Sequence, residues 1–251
     1  VAVVLGLATG VIGHIWRLTR VAVTLARFDV LLPGEYYERY PIWLQSIRTL
    51  TIPIMKRRRG RSVGVRLAKA LERLGPAYVK VGQFLATRPD MIGVTVAQEL
   101  GRLKDRLPPF SRTAALDTIN HELGGTEELF AGISEAMAAA SIAQVHQAIV
   151  PRQGVVAIKV LRPNIEKRLE REMAALRFLA QGIELFSPRS RHLEPVQFID
   201  TVSSAMQREL DLRLEAGAAA EFREVAENDG YLSVPEIDWS RSSKRVMTLD
   251  W

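Results

Sequence analysis

The chain opens on sixteen residues, Val1–Trp16, that carry no formal charge when His14 is neutral. At about 1.5 Å of rise per residue they make about 24 Å of helix, short of the roughly 20 residues needed to cross a bilayer. Arg17, Arg20 and Arg27 follow. The pattern predicts a helix that either lies in a membrane interface or packs on the rest of the protein, not a spanning one. No basic segment precedes the apolar one, so a cleaved signal peptide is not expected. Ser62–Leu74 reads as an amphipathic helix with Leu67, Leu71 and Leu74 on one stripe and Gly75-Pro76 as its stop. A second helix runs from Ala77 to Pro89, where Lys80, Gln83 and Thr87 at i, i+3 and i+7 make a polar ridge while Val81 and Leu85 face elsewhere. Two more helices are expected around Thr95–Leu107 and Ser111–Leu123, the latter opening on a Ser cap and closing at Gly124-Gly125.

After Phe130 the period shifts to two. Ala143, Val145, Gln147 and Ile149 alternate with Gln144, His146 and Ala148, Pro151–Gly154 supplies a turn, and Val155–Leu161 is rich in β-branched residues, which together predict a hairpin. A helix from Asn164 through Leu185 carries the stripe Ile165, Leu169, Leu176, Leu179 and Ile183, and a second long helix over about Pro195–Val225 contains Glu209, Asp211 and Glu215. Two strands, Leu232–Ile237 and Arg245–Trp251, complete the reading, joined through the polar turn Ser240–Ser243.

Composition narrows the chemistry. With 47% hydrophobic and 25% charged residues over 251 positions the chain can bury a core. With no cysteine it has no disulfide, thiolate nucleophile or cysteine-bound metal. The net charge is +6 and only seven of 34 basic residues are lysine, which favours an acidic partner: anionic lipid, nucleic acid or a phosphate-bearing ligand. The aromatics Tyr36, Tyr37, Tyr40 and Trp43 lie between Pro33 and Pro53, ahead of the basic run Lys56–Arg61. That run reads as a solvated loop or as a patch for anionic headgroups, each basic residue near the surface worth about 1 kcal/mol. Without interleaved stacking residues it ranks lower as an RNA site. No initiator Met is present and Arg245–Trp251 reads as a strand with no turn behind it, so the chain is expected to be part of a longer protein.

The chemistry concentrates around Val156–Lys159. A strand lysine of this kind in protein kinases reaches the nucleotide phosphates while paired with a helix glutamate. The small-residue loop Ala138–Ser141 stands before the preceding strand, where a kinase has its glycine-rich lid. Alanine disfavours positive φ, so phosphates would sit differently here. Glu209, Asp211 and Glu215 are the acidic cluster available to keep a cleft lysine charged. His146 is expected to be packed within a strand, and no Gly-x-Ser-x-Gly elbow is present.

Taken in order, Lys80, Gly82 and Gln83 within Gly75–Asp90, the Ala138–His146 stretch, Val156–Lys159 with Arg162-Pro163, and Glu209, Asp211 and Glu215 resemble the motifs of the UbiB family of atypical kinase-like proteins, the first being its KxGQ signature. The resemblance implies an α+β fold: a helical N-terminal extension, then a protein-kinase-like N-lobe with an antiparallel sheet and long helices, the C-lobe missing. Three regions are expected: a basic, partly apolar membrane-facing 1–61, a helical KxGQ-type 62–130, and an N-lobe over 131–251. It also implies binding of ATP or ADP, with Mg whose ligands are not in this chain, and ATPase or atypical kinase activity supporting ubiquinone biosynthesis. Lys80 and Gln83 would enter the active-site region near Glu209 and Asp211. Lys159 would contact phosphate with a glutamate partner, Ala138, Ala139, Ala140 and Ser141 would line the phosphates, and the hinge segment with Met247, Leu249 and Trp251 would offer backbone groups to adenine. The implied partners are nucleotide, an anionic membrane surface, polyprenylated quinone precursors and ubiquinone-biosynthesis enzymes, with no nucleic acid. The implied location is the cytoplasmic face of a bacterial inner membrane, held peripherally through the N-terminal region.

Glu209 and Glu215 are six apart, so spacing leaves open which of them meets which lysine. Two departures stand out: Ala216 and its neighbours follow Glu215 where the family commonly has an Asn, and there is no Asp-Phe-Gly and no histidine in a His-x-Asp context. These keep open an alternative, a catalytically inactive membrane-associated scaffold for lipid or partner enzymes.

Overall fold

The computed structural model describes residues 2–39, 41–55, 61–103, 108–230 and 232–251. Tyr40 and most of the basic run Lys56–Arg61 therefore lie outside the described residues. The helices are α1 (Ala2–Arg27), α2 (Ile42–Thr51), α3 (Val63–Leu74), α4 (Pro76–Ala86), α5 (Pro89–Ile92), α6 (Val94–Leu100), α7 (Arg112–Leu123), α8 (Thr126–Leu129), α9 (Ile165–Phe186), α10 (Pro195–Glu209) and α11 (Leu212–Asp229). The strands are β1 (Gly132–Ala139), β2 (Ala143–Val150), β3 (Gly154–Leu161) and β4 (Val246–Asp250). The chain divides into two compact units, Val1–Lys104 with Leu169–Ser203, and Asp105–Arg168 with Ser204–Trp251.

The first unit is helical. The apolar opening continues without a break through Arg17 and Arg20 to Arg27, and among the described residues no helix is long and apolar enough to cross a membrane. Along α1, the ring of His14 stacks on Phe178 of α9 at 5.6 Å, and Arg20 pairs with the buried Glu172 at 3.1 Å. In α3, the Ser62 hydroxyl accepts from the Val65 N–H and caps the helix, while Ala70, Leu71 and Leu74 are buried. The turn into α4 needs Gly75, whose φ of 117° a side chain would resist, and Pro76 then starts the helix with no N–H to leave unpaired.

Two glycines let helices approach closely. A Cβ on Gly82 would stand 2.6 Å from methyl carbons of Leu71 and Leu103, and one on Gly64 would stand 2.8 Å from the Glu99 Cβ of α6. Beside them lies a charged knot. Buried Arg66 donates to both carboxylate oxygens of Glu35, at 2.7 and 2.9 Å, and to the carbonyls of Arg61 and Asp29. The Asp29 carboxylate also accepts from Arg48 of α2 at 2.7 Å. The forked bonds from Arg66 hold the Glu35 carboxyl below its ordinary pKa, against the opposing effect of burial.

The second unit is built on an antiparallel sheet in the order β1-β2-β3-β4. Alternation along β3 sends Val156, Ile158 and Val160 into a core completed by Ile119 of α7, Phe130, Ile133, Ala148, Val150 and Val246. Residues 157 and 159 lie on the opposite face. The fully buried His146 sits across from Ile158 on the core side, bonded to Gln144 at 2.8 Å and to the Ser134 carbonyl at 2.9 Å, as expected of a packed strand histidine.

Mixed helix with an antiparallel sheet is the predicted α+β class. Four local expectations change. Ala138 and Ala139 belong to β1, so only Ala140–Ile142 form the turn. The long helix over Pro195–Val225 is two helices: Glu209 ends α10, and the Asp211 side chain caps α11 by accepting from the Arg213 N–H at 3.1 Å. Leu232–Ile237 is extended without pairing as a strand, except for the bridge of Ile237 to Leu249. The helix expected over Thr95–Leu107 ends at Leu100, and 104–107 lie outside the described residues.

Candidate functional site

The strand register assembles a row of side chains across the second unit. Ala138 of β1 pairs with Val145 of β2, Val145 with Lys159 of β3, and Lys159 with Met247 of β4. Directly paired residues in antiparallel strands share a face. Lys159 therefore stands on a face whose neighbours in the row are Ala138, Val145 and Met247, and Ala157 with Leu249 forms the next row. Trp251 follows β4 and is 59% exposed.

Glu215, in the first turn of α11, meets Lys159 from above: Nζ donates to Oε1 at 2.5 Å and to Oε2 at 2.7 Å. The pairing that spacing left open is thus resolved for Lys159. Glu209 lies on the other side of the helix break, at the end of α10. Asp211 is engaged in capping and in a two-pronged pair with Arg213, whose guanidinium donates at 2.9 and 2.7 Å. Those bonds hold the Asp211 carboxyl below its ordinary pKa.

The alanine turn is fixed from beneath. Its ends close through the Ala140 N–H donating to the Ala143 carbonyl at 2.8 Å. The Ala140 carbonyl accepts two bonds from the Arg162 guanidinium, at 3.2 and 2.8 Å, and the same guanidinium donates to Pro108 at 2.9 Å and lies 5.5 Å over the Phe110 ring. Ser141 is buried. Arg162 appeared in the sequence only as half of an Arg-Pro motif. Its role as the clamp of this turn was recoverable from nothing but the fold.

Lys80 and Gln83 are the half-buried polar positions of α4 in the first unit, on a helix whose residues Pro76–Val79, Val81 and Gly82 are all buried. A second concavity of the sheet unit escaped the sequence reading. It is a groove of about 270 Å³ lined by Arg223 and Glu227 of α11 with Glu236 and Trp239. Arg223 pairs there with Glu227 at 2.7 Å and with Glu236 at 2.8 Å, and Glu224 adds a third carboxylate to the lining.

A strand lysine held by a helix glutamate, on a sheet entered by a tight small-residue turn, is the arrangement a kinase N-lobe uses. Comparison with known proteins agrees: residues 102–251 match the ABC1 atypical kinase-like domain. The chain belongs to this family. Among ABC1 relatives, the "Probable protein kinase UbiB" of Marinobacter nauticus is 40% identical over 191 residues, covering 75% of this chain and 35% of that protein. The protein of the same name from Xanthomonas euvesicatoria pv. vesicatoria is 37% identical over 245 residues, covering 94% of this chain and 43% of its own length. The chain thus spans about two fifths of the curated relatives it matches. Among solved structures, the Mycobacterium tuberculosis Rv3197–erythromycin complex superposes with a TM-score of 0.50 at 25% identity, covering 74% of this chain and 47% of that one. The UbiB-type kinase-like family and the α+β kinase-like fold expected from the motifs both stand.

Proposed function

We propose that this chain supplies the nucleotide-binding lobe of a UbiB-type atypical kinase or ATPase that supports ubiquinone biosynthesis at a membrane. The observation that carries the reading is the Lys159–Glu215 pair, 2.5 Å apart, on a sheet face flanked by alanines. In this reading Lys159 places its positive charge against the phosphates of ATP or ADP, and Glu215 orients the lysine through its carboxylate. Ala140 and Ser141 of the turn, with Ala138 and Ala139 at the end of β1, line the phosphates. Backbone groups of Met247, Leu249 and Trp251 meet adenine. The family likeness gives Lys80 and Gln83 of the helical unit a part in the same activity. The family likeness implies Mg2+ with the nucleotide; among the described residues no three His, Asp or Glu side chains are grouped to hold a metal. A polyprenylated quinone precursor as substrate and a membrane as location follow from the family likeness.

Nucleotide titration of the chain and of its Lys159→Met variant tests the reading. Measurable affinity lost in the variant is the expected result. Equal affinity in both would remove Lys159 from the site, and no nucleotide binding in either would favour the catalytically inactive scaffold.

A further inference from the structure

Helix α2 is amphipathic with its polarity reversed. A surface helix of a folded protein ordinarily turns its apolar stripe inward. None of the residues of α2 is buried, and its large apolar side chains face solvent: Ile42 is 82% exposed, Trp43 63% and Leu50 79%. At 3.6 residues per turn, Trp43, Ile47 and Leu50 fall within an arc of about 60°. Ile42 and Ile52, before and after this stretch, are also exposed. The opposite side carries Arg48, which ties α2 to the unit. Its guanidinium donates to Asp29 and to the Leu32 carbonyl, and it passes where a side chain on Gly34 would stand. The helix is held by a charge and displays its grease.

The charges around it select the occupant. Residues 41–61 contain six basic residues and no Asp or Glu. Arg48 is matched to Asp29, and the other five fall within 56–61, directly after the helix. A second copy of the chain would bring the same excess of basic residues and so offers that stretch no charge complement. A bilayer carrying anionic lipid accepts the apolar stripe and the charges together, and Trp is among the residues that settle best at that depth. We propose that the face of α2 formed by Trp43, Ile47 and Leu50 lies in the headgroup region of an anionic membrane, so that the chain docks on the bilayer without crossing it. This rests on the membrane-associated reading above and narrows its N-terminal contact to one helix face.

The test is flotation of the 251-residue chain with vesicles of phosphatidylcholine alone or mixed with phosphatidylglycerol. Binding to the mixed vesicles that weakens as salt rises is expected, with about tenfold or greater loss of affinity in Trp43→Glu/Leu50→Glu. A chain in which Trp16, Trp239 and Trp251 are replaced by Phe should show blue-shifted Trp43 emission on the mixed vesicles. Because α2 buries nothing, the circular dichroism spectrum of the double variant should match the parent. The proposal is overturned by any of four results: no vesicle binding, equal binding to neutral vesicles, binding unaffected in the double variant but lost in Ile12→Glu/Trp16→Glu, or a concentration-dependent dimer that the double variant abolishes. Nucleotide affinity is read separately on the same proteins. No docking by the parent chain with its nucleotide binding intact sinks this inference alone, and docking by the parent chain without nucleotide binding sinks the nucleotide reading alone.

Discussion

The pair between Lys159 and Glu215 can be asked how much it stabilises the fold and how much it serves a ligand. Its side chains are 25% and 50% exposed, so water screens the attraction and competes for both groups. Exposed pairs of this kind contribute about 0.2–1 kcal/mol, far below the Coulomb energy at contact in a dry medium. A double-mutant cycle of Lys159→Met and Glu215→Gln, read by urea melts, should therefore return a coupling of about 1 kcal/mol or less. For a chain of this size that amounts to a melting-temperature change of about 2–4 °C. The effect on a bound phosphate should be larger. A hydrogen bond from a charged donor contributes about 1.5–3 kcal/mol, so Lys159→Met should weaken ATP or ADP by roughly ten- to 150-fold. Glu215→Gln, which frees the lysine without removing it, should cost less affinity. A coupling above about 3 kcal/mol would mark the pair as a structural element. Affinity of Lys159→Met within about twofold of the parent would refute the phosphate assignment itself.

Three further outcomes test other parts of the structure. Gly64→Ala places a methyl 2.8 Å from the Glu99 Cβ, so it should destabilise by about 1–3 kcal/mol in chemical melts, the reverse of the roughly 1 kcal/mol gain at an open helical site. Arg162→Met removes the bonds to Ala140 and Pro108 and should speed hydrogen exchange at the Ala140 amide. Arg162→Lys should restore little, since a point charge cannot reproduce the fork. Glu35 and Asp211 titrate below their ordinary values, through bonds from Arg66 and Arg213, and Asp238 does so through Ser240 and Arg241 despite burial. A carboxyl depressed in the folded state contributes stability that is present above its unfolded pKa and lost as pH falls through the folded one. Melting temperature should therefore hold at neutral pH and fall on acidification below about pH 4, and Glu35→Gln should flatten that fall.

Where the chain follows local rules, the sequence was legible. The Ser111 cap, the Gly75-Pro76 break, the turn before Gly154 and the Val156–Lys159 strand all appear as read. β1 was missed because Gly132–Ala139 lacks a β-branched run and because bulges between Ile133 and Ala136 and between Ala136 and Ala138 break the period-two pattern. The gap between α10 and α11 contains neither glycine nor proline. Its one signal was Asp211, an N-cap residue type taken for a member of an acidic cluster. The site divides in the same way. Lys159 was visible from its strand, whereas the choice of Glu215 over Glu209 depended on a helix break that i+6 spacing hides. Arg162 depended on a contact between strand end and turn that no local pattern encodes.

The clamp on the alanine turn bears on kinetics. A flexible glycine-rich lid must be ordered by each ligand that it closes over, and that ordering opposes binding every time. Here the carbonyl of Ala140 is gripped by a guanidinium and its N–H closes the turn before any ligand arrives. A nucleotide settling against this turn would meet a surface whose shape folding has already set. Association should then show little dependence on loop closure, and residence time should be governed by the ligand's own contacts, not by the opening and shutting of a flap.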